Sequence, residues 1–577
     1  MSTSSISNRK RHASAPLESV FDNTSAGRKK LAVKKEDPVL KEMMASAIIR
    51  HSLPLTIFEQ SGDGDILTFL NPNVKPISTN EIIANCLEVY ERERTKLRYA
   101  LRSIPGRLCL TCDIWVDPCT NEYLCLTVNY VDSNWKLQNK FLNLVPLPFP
   151  WDASILRSAV NNLLCKWGIE KNVFSITFDS GRCGDTVLDM LRDCLNEQDG
   201  VKGDYFGVCC GAHFMDHMGQ ECFKLIDSPI RKIREGVQYV IYHEKNRLKF
   251  EEAAKLIFQG AFDPLWSDCK LRWNSTYLML ERSVKYRCAF EHVMIDDEYT
   301  DWHLTEEEWS RLEKMCKLLK PLYDIANLFL STEHPTANLY FKNVLKIGLL
   351  LVDALEDKDL EISNLARRMK SEFDVYWDAC HDVLALAIIF DPRYKLSFVK
   401  FCYGKLDKAS AEDRYVSTCR RLDRLFKTYS DQVFASQTNE MKDDILKDFE
   451  IYCRKKEFDS SKSSLNVYLN EQSVGFQEHM DVLSWWKENE PRLGQDLSLM
   501  ARDILSIPIT SFPRGSVFGM GYRVEDRLKG MWSFNCMEVL IATRNWLSGY
   551  PVDADYPGGL MGREQRFWRT TCEEEAD

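Results

Sequence analysis

Two aspartates stand where phosphodiester chemistry could use them: Asp113 near the end of a β-rich run at 108–115 and Asp179 just after another at 173–178. Two divalent metals about 4 Å apart can bridge the attacking and leaving oxygens of a phosphate, which requires carboxylates from separate elements to converge. Strand ends of one sheet would bring them together. A strand-end aspartate equally serves as a turn former or helix cap, so the two positions alone leave both readings open. Cys210 and His213 form a second group, with His217 one turn beyond His213 on a helix. A structural zinc site takes four ligands, and no second pair lies nearby, so packing and helix-end hydrogen bonding is the better reading. Cys109 and Cys112 are a lone C-x-x-C that a strand would point to opposite faces. No cofactor and no resident metal is expected, beyond residual Mg²⁺ or Mn²⁺ at Asp113 and Asp179.

The elements that must position these residues follow from the hydrophobic period. Ile83, Leu87 and Tyr90 recur at helical spacing in a lead-in segment at 82–101. Three short β-rich runs follow at 108–115, 123–130 and 136–145, separated by turn residues such as Asp117-Pro118, and antiparallel pairing is expected. A helix at 154–167, a strand at 173–178, a helix at 185–195 and a strand at 205–209 complete the order βββαβαβ. That is a mixed α/β sheet of the RNase H type. From about Leu271 the period is 3.6 for some 180 residues; there Thr305 and Glu308 make a capping box ahead of the apolar stripe Trp309, Leu312, Cys316 and Leu319.

The predicted fold class is therefore α/β plus all-α. It comprises a basic arm at 1–45, a first core part at 80–270, a helical domain at 271–457, a linker at 458–479, a closing unit at 480–548 and an acidic tail at 549–577. A chain of 577 residues exceeds a single core. No apolar run approaches the ~18 residues that span a bilayer. Twenty cysteines scattered through apolar runs read as buried free thiols. The formal charge of −10 excludes a protein that coats nucleic acid by bulk attraction, so any contact with DNA must be local. Arg9, Lys10, Arg11, Arg28, Lys29 and Lys30 concentrate positive charge in the arm. That cluster suits a nuclear-import signal or non-specific phosphate contact, and equally a solvated tail.

Several ordered words carry a family resemblance: Leu110-Thr-Cys-Asp-Ile-Trp115, Tyr123-Leu-Cys-Leu-Thr127, Trp135-Lys-Leu-Gln138, Cys210-Gly-Ala-His213, Arg272-Trp-Asn-Ser-Thr-Tyr277, Asp391-Pro-Arg-Tyr-Lys395, Asp481-Val-Leu-Ser-Trp-Trp486 and Met500-Ala-Arg-Asp503, then Ile507-Pro508. In order and spacing they resemble the hAT transposases over roughly residues 80–548, and in particular the plant sleeper-type domesticated group. The resemblance implies an RNase H-like core interrupted by a long helical insertion, with a C-terminal segment that completes the core and dimerises. It assigns the first two catalytic acids to Asp113 and Asp179. The third, a glutamate in a Ser-Glu-Ser-x-Phe pattern, falls on Arg514-Gly515-Ser516-Val517-Phe518, so Gly515 takes its place. Residues 180–185 depart from the family as well.

The resemblance also sets Trp273 beside the transposon end, where an aromatic can stack on an unpaired base, with Arg272 next to it; a core-packing Trp at a helix start is the alternative. Such proteins usually carry a BED-type zinc finger, and here only His12 and His51 precede the first cysteine, Cys86, so no finger is expected in this chain. Trp485, Trp486, Phe518, Leu540, Trp546 and Leu547 are the apolar candidates for self-association, or for ordinary core filling. The expected function is a nuclear, DNA-binding, homodimerising protein without strand cleavage. The alternatives are an interaction-only subunit forming mixed dimers with full-length relatives, and an active transposase using Glu525 or Asp526.

Overall fold

Runs rich in β-branched and aromatic residues pair into one five-stranded sheet. The computed structural model describes residues 38–51, 53–58, 77–116, 121–178, 206–258, 263–265, 267–268, 273–294, 303–331, 336–439, 445, 463–475, 480–511 and 534–548. Two helices, α1 (Pro38–His51) and α2 (Thr79–Arg102), precede the sheet. Strands β1 (Leu108–Val116), β2 (Glu122–Val131) and β3 (Leu137–Pro146) form an antiparallel meander. Helix α3 (Ala153–Trp167) then crosses to β4 (Val173–Phe178), which with β5 (Phe206–Cys209) runs parallel to β1. The order β3-β2-β1-β4-β5 puts the first strand, with Asp113, at the centre.

The two sheet faces differ in chemistry. Leu110, Cys112, Leu126, Val128 and Ile176 give one face an apolar, fully buried surface. The other is polar yet just as buried, with Thr111, Thr127, Asn129, Asn139, Ser175 and Thr177. Buried polar groups need partners. The Thr111 and Thr127 hydroxyls bond each other, and Asn139 Nδ2 donates to Asn129 Oδ1 at 2.6 Å. Further partners come from the end of the chain: Ser506 Oγ lies 3.3 Å from Cys109 Sγ, and Thr177 Oγ1 donates to Pro508 O.

Helices follow β5 at once: α4 (Gly211–Leu225), α5 (Asp227–Tyr242), α6 (Glu244–Phe258), α7 (Trp273–Lys285), α8 (Arg287–Met294), α9 (Glu306–Ser331), α10 (Phe341–Leu355), α11 (Leu360–Ile389), α12 (Lys395–Leu406) and α13 (Ala411–Asn439). The helical region thus begins at Gly211, well before residue 271. The capping box at the head of α9 is formed, with Thr305 N donating to Glu308 Oε2 at 2.9 Å and Glu308 N to Thr305 Oγ1 at 3.2 Å, and the stripe from Trp309 to Leu319 is buried.

The final elements are α14 (Ser464–Asn470), α15 (Val482–Leu493), α16 (Gln495–Leu505) and α17 (Phe534–Ser548). Helix α17 caps the β3 edge: Asn545 Oδ1 accepts from Phe141 N at 2.9 Å, and Trp546 Nε1 donates to Phe141 O at 2.7 Å. An exposed strand edge is a template for aggregation, and this one is covered.

Two expected boundaries move. Residues 38–45, taken as the end of the basic arm, open α1, whose Met44 and Ala45 are buried against α2 and Leu540 of α17. The expected linker contains α14, started by a Ser463 cap on Asn466 N at 3.2 Å and held by the buried ring of Tyr468. Tertiary contact outweighs a loop-like composition there. Tyr468 OH donates to Ile389 O at 2.8 Å, and Lys395 Nζ donates to Tyr468 O and Glu471 O at 2.6 and 2.9 Å. Tyr468→Phe removes only the first of these, and a loss of about 1 kcal/mol in urea unfolding is expected; no measurable loss would show that the hydroxyl contributes nothing.

Candidate functional site

Strand register locates the candidate site. Cys112, Phe178 and Cys209 form one row across β1, β4 and β5. Asp113 and Cys210 belong to the next row, at the outer edge, and with strands ~4.8 Å apart their backbones lie about 10 Å from each other. Asp179 follows Phe178 directly in the chain but falls outside the described residues. Asp113 is buried, its Oδ1 accepts from Ile114 N at 3.0 Å, and its cross-strand partner is Cys125. Burial holds the Cys125 thiol well above its ordinary value, with Asp113 adding to the effect.

Cys210 caps the edge. It begins α4, its N–H donates to Phe178 O at 2.9 Å, and its Sγ accepts from Ser511 N at 3.2 Å and Ser511 Oγ at 3.3 Å. Gly211 N donates to Ile509 O at 2.8 Å. Burial alone would raise this thiol, but hydrogen bonds from His213 and Ser511 outweigh it and bring it down to about 7. The C-x-x-H word therefore acts as a clamp on Ser511. Among the described residues no group of three His, Cys, Asp or Glu side chains is placed to hold a metal. Ser511 is the last described residue before a stretch that includes Arg514, Gly515 and Phe518, which lie outside the described residues.

The other motif residues serve mainly as brackets. The Asp503 carboxylate is buried and accepts from Arg107 N at 2.7 Å, Arg107 Nε at 3.3 Å and Tyr429 OH. This joins the entry to β1, α13 and α16 in one node. Burial pushes the Asp503 carboxyl up, while Arg107 and Tyr429 oppose it; burial would lower the Arg107 guanidinium, but Tyr429 and Asp503 hold it raised. Three donors aimed at one carboxylate favour the charged pair. Arg502 stacks over Trp135 with 3.8 Å from Cζ to the ring centroid, and Trp135 Nε1 donates to Glu490 Oε2 at 2.8 Å. Asp391 accepts from Arg393 Nε and Nη2 at 2.9 and 2.6 Å and from Asn338 Nδ2 at 2.8 Å. Sequence reasoning missed Arg107 and Tyr429, which carry no local signal.

Trp273 is in the core at 4% exposure, and a Cβ on Gly219 would stand 2.5 Å from its ring. Its face is given to α4 rather than offered to a base, which corrects the stacking expectation; Arg272 lies outside the described residues. Trp486 is fully buried and donates through Nε1 to Phe390 O at 2.8 Å. Leu540 packs on α1 and α2, and Trp546 stacks on Tyr90 at 5.2 Å. Within one chain these side chains already fill a core, which leaves Trp485 and Leu547 partly exposed. Arg9, Lys10, Arg11, Arg28, Lys29 and Lys30 lie outside the described residues.

A mixed sheet of this order, with an acid at the end of its central strand and its last helices supplied after a long helical region, defines an RNase H-like core of the transposase kind. The ZBED1 RNase-like domain matches residues 111–205, the ZBED1 RNase-like helical domain 208–318, the hAT-like transposase RNase-H fold 338–429 and the hAT family C-terminal dimerisation region 464–547. The chain is 30% identical over 546 residues to the zinc finger BED domain-containing protein RICESLEEPER 2 of Oryza sativa subsp. japonica, covering 90% of this chain and 76% of that protein. It is 30% identical over 512 residues to the zinc finger BED domain-containing protein DAYSLEEPER of Arabidopsis thaliana, with 88% and 73% covered, and 26% identical over 549 residues to a putative AC transposase of Zea mays, with 92% and 68% covered. The chain belongs to the hAT transposase family, among its sleeper-type members.

Proposed function

We propose that this chain is a domesticated hAT protein of the nucleus that dimerises and binds DNA without cutting it. The tether from Ser511 supports the loss of cleavage most directly. Ser511 is fixed to Cys210 at the sheet edge, and four residues later the family's glutamate position holds Gly515. No acid occurs from 512 to 524, and the first, Glu525, is fourteen residues past the anchor. Four extended residues span only ~14 Å, so the position that should deliver the third carboxylate to the Asp113 edge delivers none. The neighbours of Asp113 are also poor metal donors, since a thiol kept protonated, as at Cys125, does not suit Mg²⁺. The residues present do not fit a two-metal centre.

Purified chain with Mn²⁺ and a hairpin-ended duplex is expected to nick no faster than Asp113→Ala. Nicking above that level would restore the active-transposase reading. The dimerisation match at 464–547 supports self-association. Light scattering at micromolar concentration should give twice the mass of the 67.0 kDa chain, and a monomer would overturn this part. DNA binding is supported by the family and by the basic residues of the arm, and salt-dependent retardation of random duplex tests it.

A further inference from the structure

We propose that the exposed side of α2 and the end of α3 form a contact surface for single-stranded DNA, with Arg98, Arg102, Lys166 and Lys171 on the phosphates and Tyr99 against an unpaired base. The inference rests on the DNA-binding reading above and gives it a location outside the arm and away from the acidic edge.

The surface is built by packing. Arg94 lies 6.0 Å from the ring centroids of both Tyr90 and Trp167, which ties α2 to the end of α3. One and two turns further along α2, Arg98 and Arg102 are exposed, and Tyr99 between them is 78% exposed. The Arg102 guanidinium lies over Gly168, the α3 cap at φ 68, where a Cβ would be 2.2 Å from its Nη2. Lys166 and Lys171, two residues before and three after that cap in the chain, are both exposed.

Charge is unbalanced here although the whole chain carries −10. Glu91 is paired with Arg94, and Glu93 with Arg92 and Lys96. Glu538 is turned inward onto Asn143, and Oε2 of Glu170 is buried. Among the described residues, no ion pair engages Arg98, Arg102, Lys166 or Lys171. Arg98, Arg102 and Lys171 without an ion pair, and Lys166 whose one acidic partner among the described residues is the inward-turned Glu538, together with an exposed aromatic suit a phosphodiester chain with splayed bases, because stacking adds to the phosphate term. An acidic peptide or an anionic membrane would use the cations but not the ring. The surface lies where α2 and α3 feed β1 and β4, about 17 Å along β1 from Asp113.

Fluorescence anisotropy of the full chain with a labelled 20-nucleotide single strand and its duplex, over a salt series, tests the proposal. R98E/R102E should weaken single-strand binding roughly tenfold at moderate salt and flatten the salt slope by about 1.4. Tyr99→Ala should cost about fivefold or more on the single strand and less on the duplex. All three residues are exposed, so thermal midpoints close to the parent are expected, and R98E alone gives the same direction of effect should loss of Arg102 from the Gly168 cap shift them. Parental affinity in both variants, with binding lost on deletion of residues 1–37, would overturn this surface and keep the DNA-binding reading. No binding by the parent at low salt would overturn both. Equal losses on duplex and single strand, or a loss confined to phosphatidylserine vesicles, would overturn the assignment to single strands.

Discussion

Asp503→Ala is expected to cost about 3 kcal/mol of folding free energy, because it strands the largely buried Arg107 guanidinium without its carboxylate. The carboxylate serves three donors on two other segments, and the Arg107 guanidinium also lies over the Phe174 and Tyr429 rings at 4.2 and 4.7 Å. Removing the acid leaves a largely buried cation and a buried phenol without their shared acceptor. Gly106→Ala should act through the same node, since a Cβ there would stand 2.3 Å from Asp503 Oδ1 and displace it. Replacing both ions, Arg107→Met with Asp503→Leu, should recover much of the loss, as buried pairs often exchange for apolar residues at little cost. Urea unfolding followed by tryptophan fluorescence measures each variant. A loss below about 1 kcal/mol for Asp503→Ala, or a double variant no better than the single, would mean that the node does not hold these segments together.

That node shows which parts of the protein could be read from sequence. The strands could, because β1 to β4 are nine, ten, ten and six residues of apolar or β-branched character set off by turn residues, and β1 and β4 each end beside an acid. The capping box of α9 was equally legible, since its two partners sit three residues apart. Arg107 and Asp503 are 396 residues apart, and nothing in the neighbourhood of either announces the other. Helix α14 was hidden for another reason: seven residues are too few for a period to emerge from Ser-, Lys- and Asn-rich sequence, and its stability comes from Lys395 and Ile389. Trp273 was ambiguous for the same cause, because a helix-start Trp reads alike until the opposing Gly219 is known.

The family words thus divide into two kinds. Asp391-Pro-Arg-Tyr-Lys395, Asp481-Val-Leu-Ser-Trp-Trp486 and Met500-Ala-Arg-Asp503 tie the helical region and the C-terminal unit to the sheet. On the proposed function these words would outlast cleavage, since a dimerising, DNA-binding protein would still need the scaffold. The words at 180–185 and 514–518, which in sequence adjoin the expected second and third acids, are the ones that depart from the family pattern. Cys210 stands between the two kinds, as a bracket built at the sheet edge beyond the Cys112, Phe178 and Cys209 row.

Its thiol should make stability depend on pH in a defined window. Burial opposes the thiolate, but His213 and Ser511 hydrogen bonds bring Cys210 from 9.0 to about 7 in the folded chain. The unfolded chain then holds this proton more tightly than the folded one, so stability rises with pH between about 7 and 9. The contribution is fully present above 9 and lost as pH falls through 7. Its size at the top of the window is roughly 2–3 kcal/mol. Cys109 and Cys112 pull the other way, because burial pushes both up to about 12 and the unfolded chain gains by ionising them from about 9 upward. Comparing the parent with Cys210→Ser cancels those thiols, since both chains carry them. The difference in unfolding free energy should therefore grow in favour of the parent from pH 7 to pH 9. A flat difference across that window would mean that Cys210 stays protonated and clamps Ser511 as a neutral thiol.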